Sequence, residues 1–121
     1  MNQENELKNT FIEEYSSAKM LKKQGRLKSA VILISKSLFV LCDYIIFRKY
    51  KKLSKNHADR FRILQLKENK IYLEVDSVWS KYTDTYSKPS NYESYDILNK
   101  AIINIIENEE LDKEIREIIE K

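Results

Sequence analysis

The sequence predicts an all-α protein, and three observations lead to that fold class. The 121 residues contain one glycine and one proline, which leaves few places to turn and favours long helices. Apolar residues recur at spacings of three and four along most of the chain. Residues 26–49 form one long, largely apolar stretch without glycine or proline. We therefore predict a single domain built as an up-and-down bundle of four or five helices, with a core at about residues 5–107 and a short amphipathic helix at 108–121.

The first two predicted helices form an antiparallel hairpin. The first covers about residues 4–23, and Gly25 follows its end because glycine readily adopts the positive φ found just past a helix C-terminus. The second covers residues 26–49 and is apolar on most sides, so it must be surrounded by protein. The apolar stripe of the first helix consists of Leu7, Phe11, Ile12, Tyr15 and Ala18.

The central helix also predicts an assembly and a location. A small bundle offers little to cover its second side, so we expect a second copy of the chain there, in a symmetric homodimer. Ser35, Lys36, Ser37 and Asp43 interrupt its apolar run, which predicts that it does not span a membrane. The single cysteine, Cys42, excludes an internal disulfide and favours a reducing compartment. The N-terminus has no apolar run typical of a signal peptide, so we expect a cytoplasmic protein.

Two shorter helices follow. Asn56 is a suitable N-cap for the third, whose predicted buried face carries Ala58, Phe61 and Leu64. The string at residues 63–66 is also compatible with a strand, but helix is preferred because the sequence shows no partner strand. The fourth helix covers about residues 71–82. Its predicted inner face carries Ile71, Val75, Val78, Trp79 and Tyr82, and Tyr72 and Leu73 widen it.

The last part of the chain contains the longest predicted loop and two further helices. The loop covers residues 83–90 and includes the only proline, Pro89. Ser90 and Glu93 match a capping box, in which each side chain accepts a hydrogen bond from the other residue's backbone amide. Residues 108–110 break the helical pattern, and the piece after them is too short to be stable unless it docks on its own bundle or on a second subunit. The inner faces consist of Leu98, Ala101, Ile102 and Ile105, then Leu111, Ile115, Ile118 and Ile119.

Charge is distributed unevenly, although the net charge is only +3. Residues 48–67 are basic and residues 107–121 are acidic, so the two zones either meet head to tail in a dimer or leave the basic zone facing nucleic acid. Residues 48–52 fit a phosphate-contacting patch in which Tyr50 stacks on a base, and equally a solvated helix end. One glycine excludes a glycine-rich nucleotide loop, and one histidine with one cysteine excludes a zinc site. We expect no metal and no cofactor.

The order of these features resembles a known family. Lys-Lys-Gln-Gly-Arg at residues 22–26 ends the first helix, and the long apolar helix follows with the pattern Ser-Ala-Val-x₅-Ser. Ser-Lys-Asn-His at residues 54–57 opens a short helix, and Tyr-x₃-Tyr-x-Lys-Pro at residues 82–89 precedes the last long one. This layout resembles the HEPN domains, the helical domains named after higher eukaryotes and prokaryotes nucleotide-binding.

The resemblance implies a dimeric helical bundle, and many HEPN proteins are ribonucleases or toxins with an Arg-x₄₋₆-His motif. Other members lack the motif and act as binding or regulatory subunits, often beside a small "minimal" nucleotidyltransferase. In this chain the only histidine, His57, lies nine positions after Arg48, and residues 80–89 contain neither arginine nor histidine. We therefore expect no ribonuclease activity of the usual type. A lysine in place of arginine lacks two-pronged phosphate recognition, and an unshifted tyrosine is a poor base.

These considerations predict a non-catalytic HEPN-type module that binds nucleotide or RNA, or that regulates a nucleotidyltransferase partner. The alternatives are a divergent ribonuclease toxin that uses Lys81, Tyr82 and Tyr86, and a structural helical dimer without a ligand. His57 and the tyrosines also fit purely structural roles, as a helix-start residue and as half-buried packing residues. The candidate binding residues are Lys51, Lys52, Lys55, His57, Lys81, Tyr82, Tyr86 and Lys88.

Overall fold

The computed structural model describes residues 2–120 and is helical throughout, apart from short connections, within that range. Six α-helices follow the predicted order, with boundaries within a few residues of those expected. A single 3₁₀ turn, Asp84–Tyr86, extends α4, so the long loop predicted at residues 83–90 shrinks to residues 87–91. The α-helices are α1 Gln3–Lys23, α2 Leu27–Tyr50, α3 His57–Lys67, α4 Asn69–Thr83, α5 Tyr92–Asn108 and α6 Lys113–Ile118.

Asparagine side chains begin three of these helices. The side-chain oxygens of Asn2, Asn56 and Asn91 each accept a hydrogen bond from the backbone amide three residues later. The capping box predicted at Ser90 and Glu93 is therefore wrong, because Asn91 takes the N-cap position one residue later. Gly25 has the predicted positive φ, at 75°. Lys51 ends α2 in the same left-handed region with φ 57°, which redirects the chain toward α3.

The relative directions of the helices follow from polar contacts at the two ends of α2. Near its start, Lys28 Nζ donates to the carbonyl oxygens of Thr85 and Lys88 at 2.8 and 2.5 Å. Near its end, Lys49 Nζ lies 3.1 Å from Glu68 and 2.9 Å from Glu109. The residues after α4 thus contact the start of α2, and Glu68, just before α4, contacts the end of α2, so α4 runs antiparallel to α2. Glu109, just after α5, also contacts the end of α2, so α5 runs parallel to α2. Helices α1, α2, α4 and α5 thus alternate in direction.

Helix α3 departs from strict alternation. Its first residue, His57, packs against Phe39 in the middle of α2, with ring centroids 4.8 Å apart. The carbonyl oxygen of its last residue, Lys67, lies 3.3 Å from Tyr50 Oη at the end of α2. The connection at residues 51–56 therefore returns halfway along α2, and α3 then runs parallel to it. The predicted buried face of α3 is partly wrong, because Ala58 is exposed and Ile63 is buried instead.

The premise that α2 needs a second copy for cover is corrected by the fold. Twelve of its 24 residues are buried within one chain, and they are packed by α1, α3, α4 and α5. Leu33 and Val40, on the less buried side, still pack against the core. One chain therefore covers its own central helix. The homodimer remains a prediction, but it loses the physical reason on which it was based.

The polar residues of α2 do not exclude a membrane span in the way the sequence argument assumed. By length and composition α2 is long and apolar enough to cross a membrane, with a mean hydropathy of 2.1. In the fold most of this stretch is buried inside the bundle, and the core helix of a soluble protein is buried in the same way. Ser35 and Ser37 are accommodated there because each hydroxyl donates to a carbonyl of the preceding turn, at 2.7 Å.

The C-terminal helix was predicted to dock either on its own bundle or on a second subunit, and in the fold it docks on its own bundle. Ile115 is fully buried, and α6 contacts α1 and α5. Lys8 Nζ lies 3.2 Å from Asp112 and 2.9 Å from Glu114, so a cation of α1 pairs with two carboxylates of the acidic zone at residues 107–121. Lys49 joins it from the basic zone by its contact with Glu109. The two charged zones thus meet, at least in part, within one chain.

Candidate aromatic surface around His57

Seven rings from α2, α3, α4 and the 3₁₀ turn form one continuous aromatic cluster. Phe39 is its buried centre, with Trp79 and Tyr82 at 5.5 and 5.0 Å between ring centroids. Tyr86 extends the cluster outward from Tyr82, with 5.5 Å between ring centroids, and the residue is 73% exposed. The outer part of the cluster therefore offers ring surface to solvent. The aromatic cluster consists of Phe39, His57, Phe61, Tyr72, Trp79, Tyr82 and Tyr86.

A chain of polar contacts fixes the His57 ring from behind. Asp43 on α2 accepts two hydrogen bonds from Arg60, from Nε to Oδ1 and from Nη2 to Oδ2, both at 2.9 Å. Ser54 Oγ donates to the same Oδ1 at 2.7 Å. Arg60 Nη1 lies 2.7 Å from His57 Nδ1. Asp43 and Arg60 are only 16% and 12% exposed, so the two-pronged pair is well shielded from water.

This contact determines which nitrogen of His57 carries the proton. Arginine is always a donor, so Nδ1 must accept and the neutral ring carries its proton on Nε2. Burial lowers the pKa of His57 below its usual 6.5, and the Arg60 charge lowers it further, with a smaller opposing effect from Asp43. His57 is thus a neutral ring that presents an Nε2–H donor, and the lone pair a general base would use is already bound.

We predict that stability falls as the pH drops through the ordinary titration range of histidine. Because the folded pKa lies below the unfolded value of 6.5, the unfolded chain binds the proton more readily. Stability is then complete above pH 6.5 and is lost as the pH falls toward the folded pKa. His57 is the only histidine, so one imidazole resonance reports it in an NMR titration. A His57→Gln variant should lack this part of the pH dependence, and a His57 pKa at or above 6.5 would contradict the described contacts.

Three of the predicted site residues come together, and two more lie beside them. His57, Tyr82 and Tyr86 all belong to the aromatic cluster, and the hydroxyl groups of Tyr82 and Tyr86 are hydrogen-bonded to each other at 3.1 Å. Lys81 adjoins Tyr82 in the chain and is half-buried. Lys88 is exposed and lies 3.5 Å from Asp84. This part of the candidate site is therefore a compact surface on α3, α4 and the turn after it.

The three remaining predicted lysines, Lys51, Lys52 and Lys55, do not gather at this surface. Lys51 lies at the far end of α2, 3.8 Å from Glu4 and over the ring of Phe47. Lys52 is exposed in the connection before α3. Lys55 precedes His57 by two residues, and its backbone amide donates to Asp59 at 2.9 Å. Tyr50, proposed for stacking in the same basic stretch, donates its hydroxyl to Glu68.

Sequence reasoning missed the residues that organise the surface. Arg60 follows His57 by three positions, a spacing that places both side chains on one helix face. Asp43 is the one acidic residue of the apolar α2, and such a charge requires a partner. Both signals are in the sequence, but the search for an arginine upstream of histidine overlooked them. Lys28, which holds the connection after Tyr86 in place, carried no signal because its partners are backbone oxygens.

Other potential chemistry is weak. Cys42 is buried, and burial raises the pKa of its thiol to about 12, so it is not a reactive nucleophile. Among residues 2–120, no three histidine, cysteine or acidic side chains are grouped so that they could hold a metal ion. The pKa of Tyr82 is raised, first by its hydrogen bond with Tyr86 and then by burial. A phenol with a raised pKa is deprotonated to a smaller extent at neutral pH than an ordinary tyrosine, so less phenolate is available to accept a proton.

No model of a protein family, no curated protein and no solved structure matches this chain. The HEPN resemblance therefore depends on the short strings in the sequence.

Proposed function

We propose that this protein is a non-catalytic, HEPN-type binding module for single-stranded RNA or nucleotides, and that the aromatic cluster is its binding surface. The observation that carries the proposal is the outward series of rings that ends in Tyr86. Bases stack on aromatic side chains irrespective of sequence, and each stacked base contributes about 1–3 kcal/mol. A tyrosine that is 73% exposed yet supported from below by Tyr82 is suited to such stacking.

The charges near the cluster favour a polyanion. Lys36 on α2 is exposed and lies close enough to His57 to lower its pKa through charge repulsion. Lys55, Lys81 and Lys88 lie within two residues of a ring of the cluster along the chain. Neutral His57 adds an Nε2–H donor, which can bond a phosphate or a base oxygen. Cations with stacking rings are the usual combination in proteins that bind single strands.

The same geometry argues against cleavage. RNA hydrolysis without a metal needs a group that accepts the 2′-hydroxyl proton, and histidine does this through a free ring lone pair. The lone pair of His57 Nδ1 is occupied by Arg60, and Arg60 is itself held by Asp43. The divergent ribonuclease that uses Lys81, Tyr82 and Tyr86 is less favoured, because the raised pKa of Tyr82 leaves even less of its phenolate form available as a base at neutral pH.

Assembly belongs to the same proposal. The HEPN resemblance supports a homodimer and a minimal nucleotidyltransferase as a protein partner. A gene for such a small nucleotidyltransferase beside this one would favour the regulatory form of the proposal. Sedimentation at several protein concentrations would test the homodimer independently of any ligand.

The binding proposal predicts that Tyr86→Leu weakens binding of a labelled ten-nucleotide RNA by about tenfold, because one stacked base is lost. Tyr86→Phe keeps the ring and should bind within about twofold of the unmodified protein. Fluorescence anisotropy at several salt concentrations measures both, and affinity should fall steeply with salt. RNA binding that is absent in the unmodified protein, or equal in Tyr86→Leu and Tyr86→Phe, would contradict the proposal.

A further inference from the structure

A second surface, separate from the aromatic cluster, lies between the end of α1 and the first half of α5. It is a groove of about 320 Å³, which is the lower end of the size range of small-molecule sites. We call it the lysine groove. It is lined by Lys19, Lys22, Lys23, Tyr92, Tyr95 and Asn99.

Positive charge in the lysine groove exceeds the negative charge available to balance it. Lys19, Lys22 and Lys23 share one face of α1 because they lie three and four positions apart. Lys22 lies 3.2 Å from Asp96, whereas Lys19 and Lys23 have no carboxylate partner among residues 2–120. The pKa of Lys19 is lowered, first by burial and then by the charges of Lys23 and Lys22. A bound anion would relieve this repulsion.

Neutral groups in the groove add hydrogen-bond donors. Asn99 Oδ1 accepts from Tyr15 Oη at 2.5 Å, which leaves the Asn99 Nδ2 hydrogens for another acceptor. The Tyr95 hydroxyl is buried and has no hydrogen-bond partner within residues 2–120, although Tyr95 belongs to the groove lining. Lys22 Nζ lies 4.8 Å from the Tyr95 ring centroid, so this ammonium is held by both a ring and a carboxylate.

An aromatic ring also lines the lysine groove, beside its cations. Tyr92, in the first turn of α5, is 51% exposed and lines the groove with the lysines. Its ring offers a stacking surface next to the cations, as a flat heterocycle joined to a phosphate would require. An inorganic anion would use the cations and donors without needing the ring.

We propose that the lysine groove binds the phosphate group of a mononucleotide, with the lysine ammonium groups and Asn99 Nδ2 as donors and Tyr92 against the base. This site is independent of RNA binding at the aromatic cluster. The two surfaces share no residue, so either can fail without the other.

Calorimetric titration with AMP, inorganic phosphate and adenosine tests the proposal. AMP should bind more tightly than phosphate, and adenosine much more weakly than either. The double variant Lys19→Gln, Lys23→Gln should weaken binding of AMP and of phosphate by at least about tenfold. Tyr92→Ala should reduce the affinity for AMP to that for phosphate and leave phosphate binding unchanged.

The matched control removes the same charge elsewhere. Lys70→Gln with Lys113→Gln changes two exposed lysines outside the groove, so it should retain AMP binding within about twofold. Circular dichroism spectra confirm that each variant is folded. The proposal is wrong if AMP and phosphate fail to bind the unmodified protein, or if both double variants weaken binding equally. An RNA affinity that changes with Tyr86→Leu but not with the Lys19 and Lys23 variant would confirm that the two sites are separate.

Discussion

Leu38→Ala is expected to lower the free energy of unfolding by about 3 kcal/mol. Leu38 lies in the middle of α2 and is fully buried within one chain. The substitution removes three methylene-sized groups and leaves a cavity in the hydrophobic core that rigid helices fill poorly. Chemical denaturation followed by circular dichroism measures the change, with the slope against denaturant expected to stay constant.

The same substitution on the surface provides the control. Leu73 on α4 is 58% exposed, so Leu73→Ala should change the free energy of unfolding by less than about 0.5 kcal/mol. Because the chain covers its own central helix, the loss in Leu38→Ala should not depend on protein concentration. A loss that grows on dilution would show that α2 is buried by a second copy instead.

Asp43→Ala should cost about 3 kcal/mol of stability, because breaking a shielded ion pair leaves a buried charge without a partner. Arg60 would lose both of its carboxylate contacts, and Ser54 would lose its acceptor. His57 would then lose its fixed orientation, since Arg60 Nη1 holds its ring. Thermal unfolding and the His57 resonance in an NMR spectrum measure the two effects in one sample.

Asp76→Ala is the control for this prediction. Asp76 is exposed on α4, so removing its carboxylate should change stability by less than about 0.5 kcal/mol. Equal losses in Asp43→Ala and Asp76→Ala would mean that the contact between Asp43 and Arg60 contributes nothing special. A normal His57 resonance in Asp43→Ala would show that Arg60 does not depend on Asp43 for its position.

Much of the fold could be predicted because helical periodicity is a local property. The buried residues Phe11, Tyr15 and Ala18 of α1, and Leu98 and Ile102 of α5, lie on the faces that their spacing indicated. The direction of α3 could not be predicted, because it depends on the left-handed Lys51 and on where the connection returns along α2. The burial of α2 within a single chain was not predicted, because that burial depends on how many other helices pack around α2.

The candidate site was predictable only in part, for a related reason. Tyr82 and Tyr86 share a face by their spacing of four, and His57 begins the helix that its N-cap Asn56 indicated. Phe39 and Asp43 join them from α2, 18 and 14 positions before His57, and the sequence pattern does not say which residues of another helix they contact. The lysine groove between α1 and α5 likewise exists only once the helices pack.

An RNA integrity assay under conditions where binding is saturated tests the central claim most directly, because it separates binding from cleavage in one mixture. End-labelled single-stranded RNA is incubated with the protein without added metal, and both the bound fraction and the fragment pattern are recorded. We predict that the RNA is bound in a salt-sensitive manner and remains full length. Fragments that accumulate with the unmodified protein, and disappear with His57→Ala, would show that His57 acts as a catalyst.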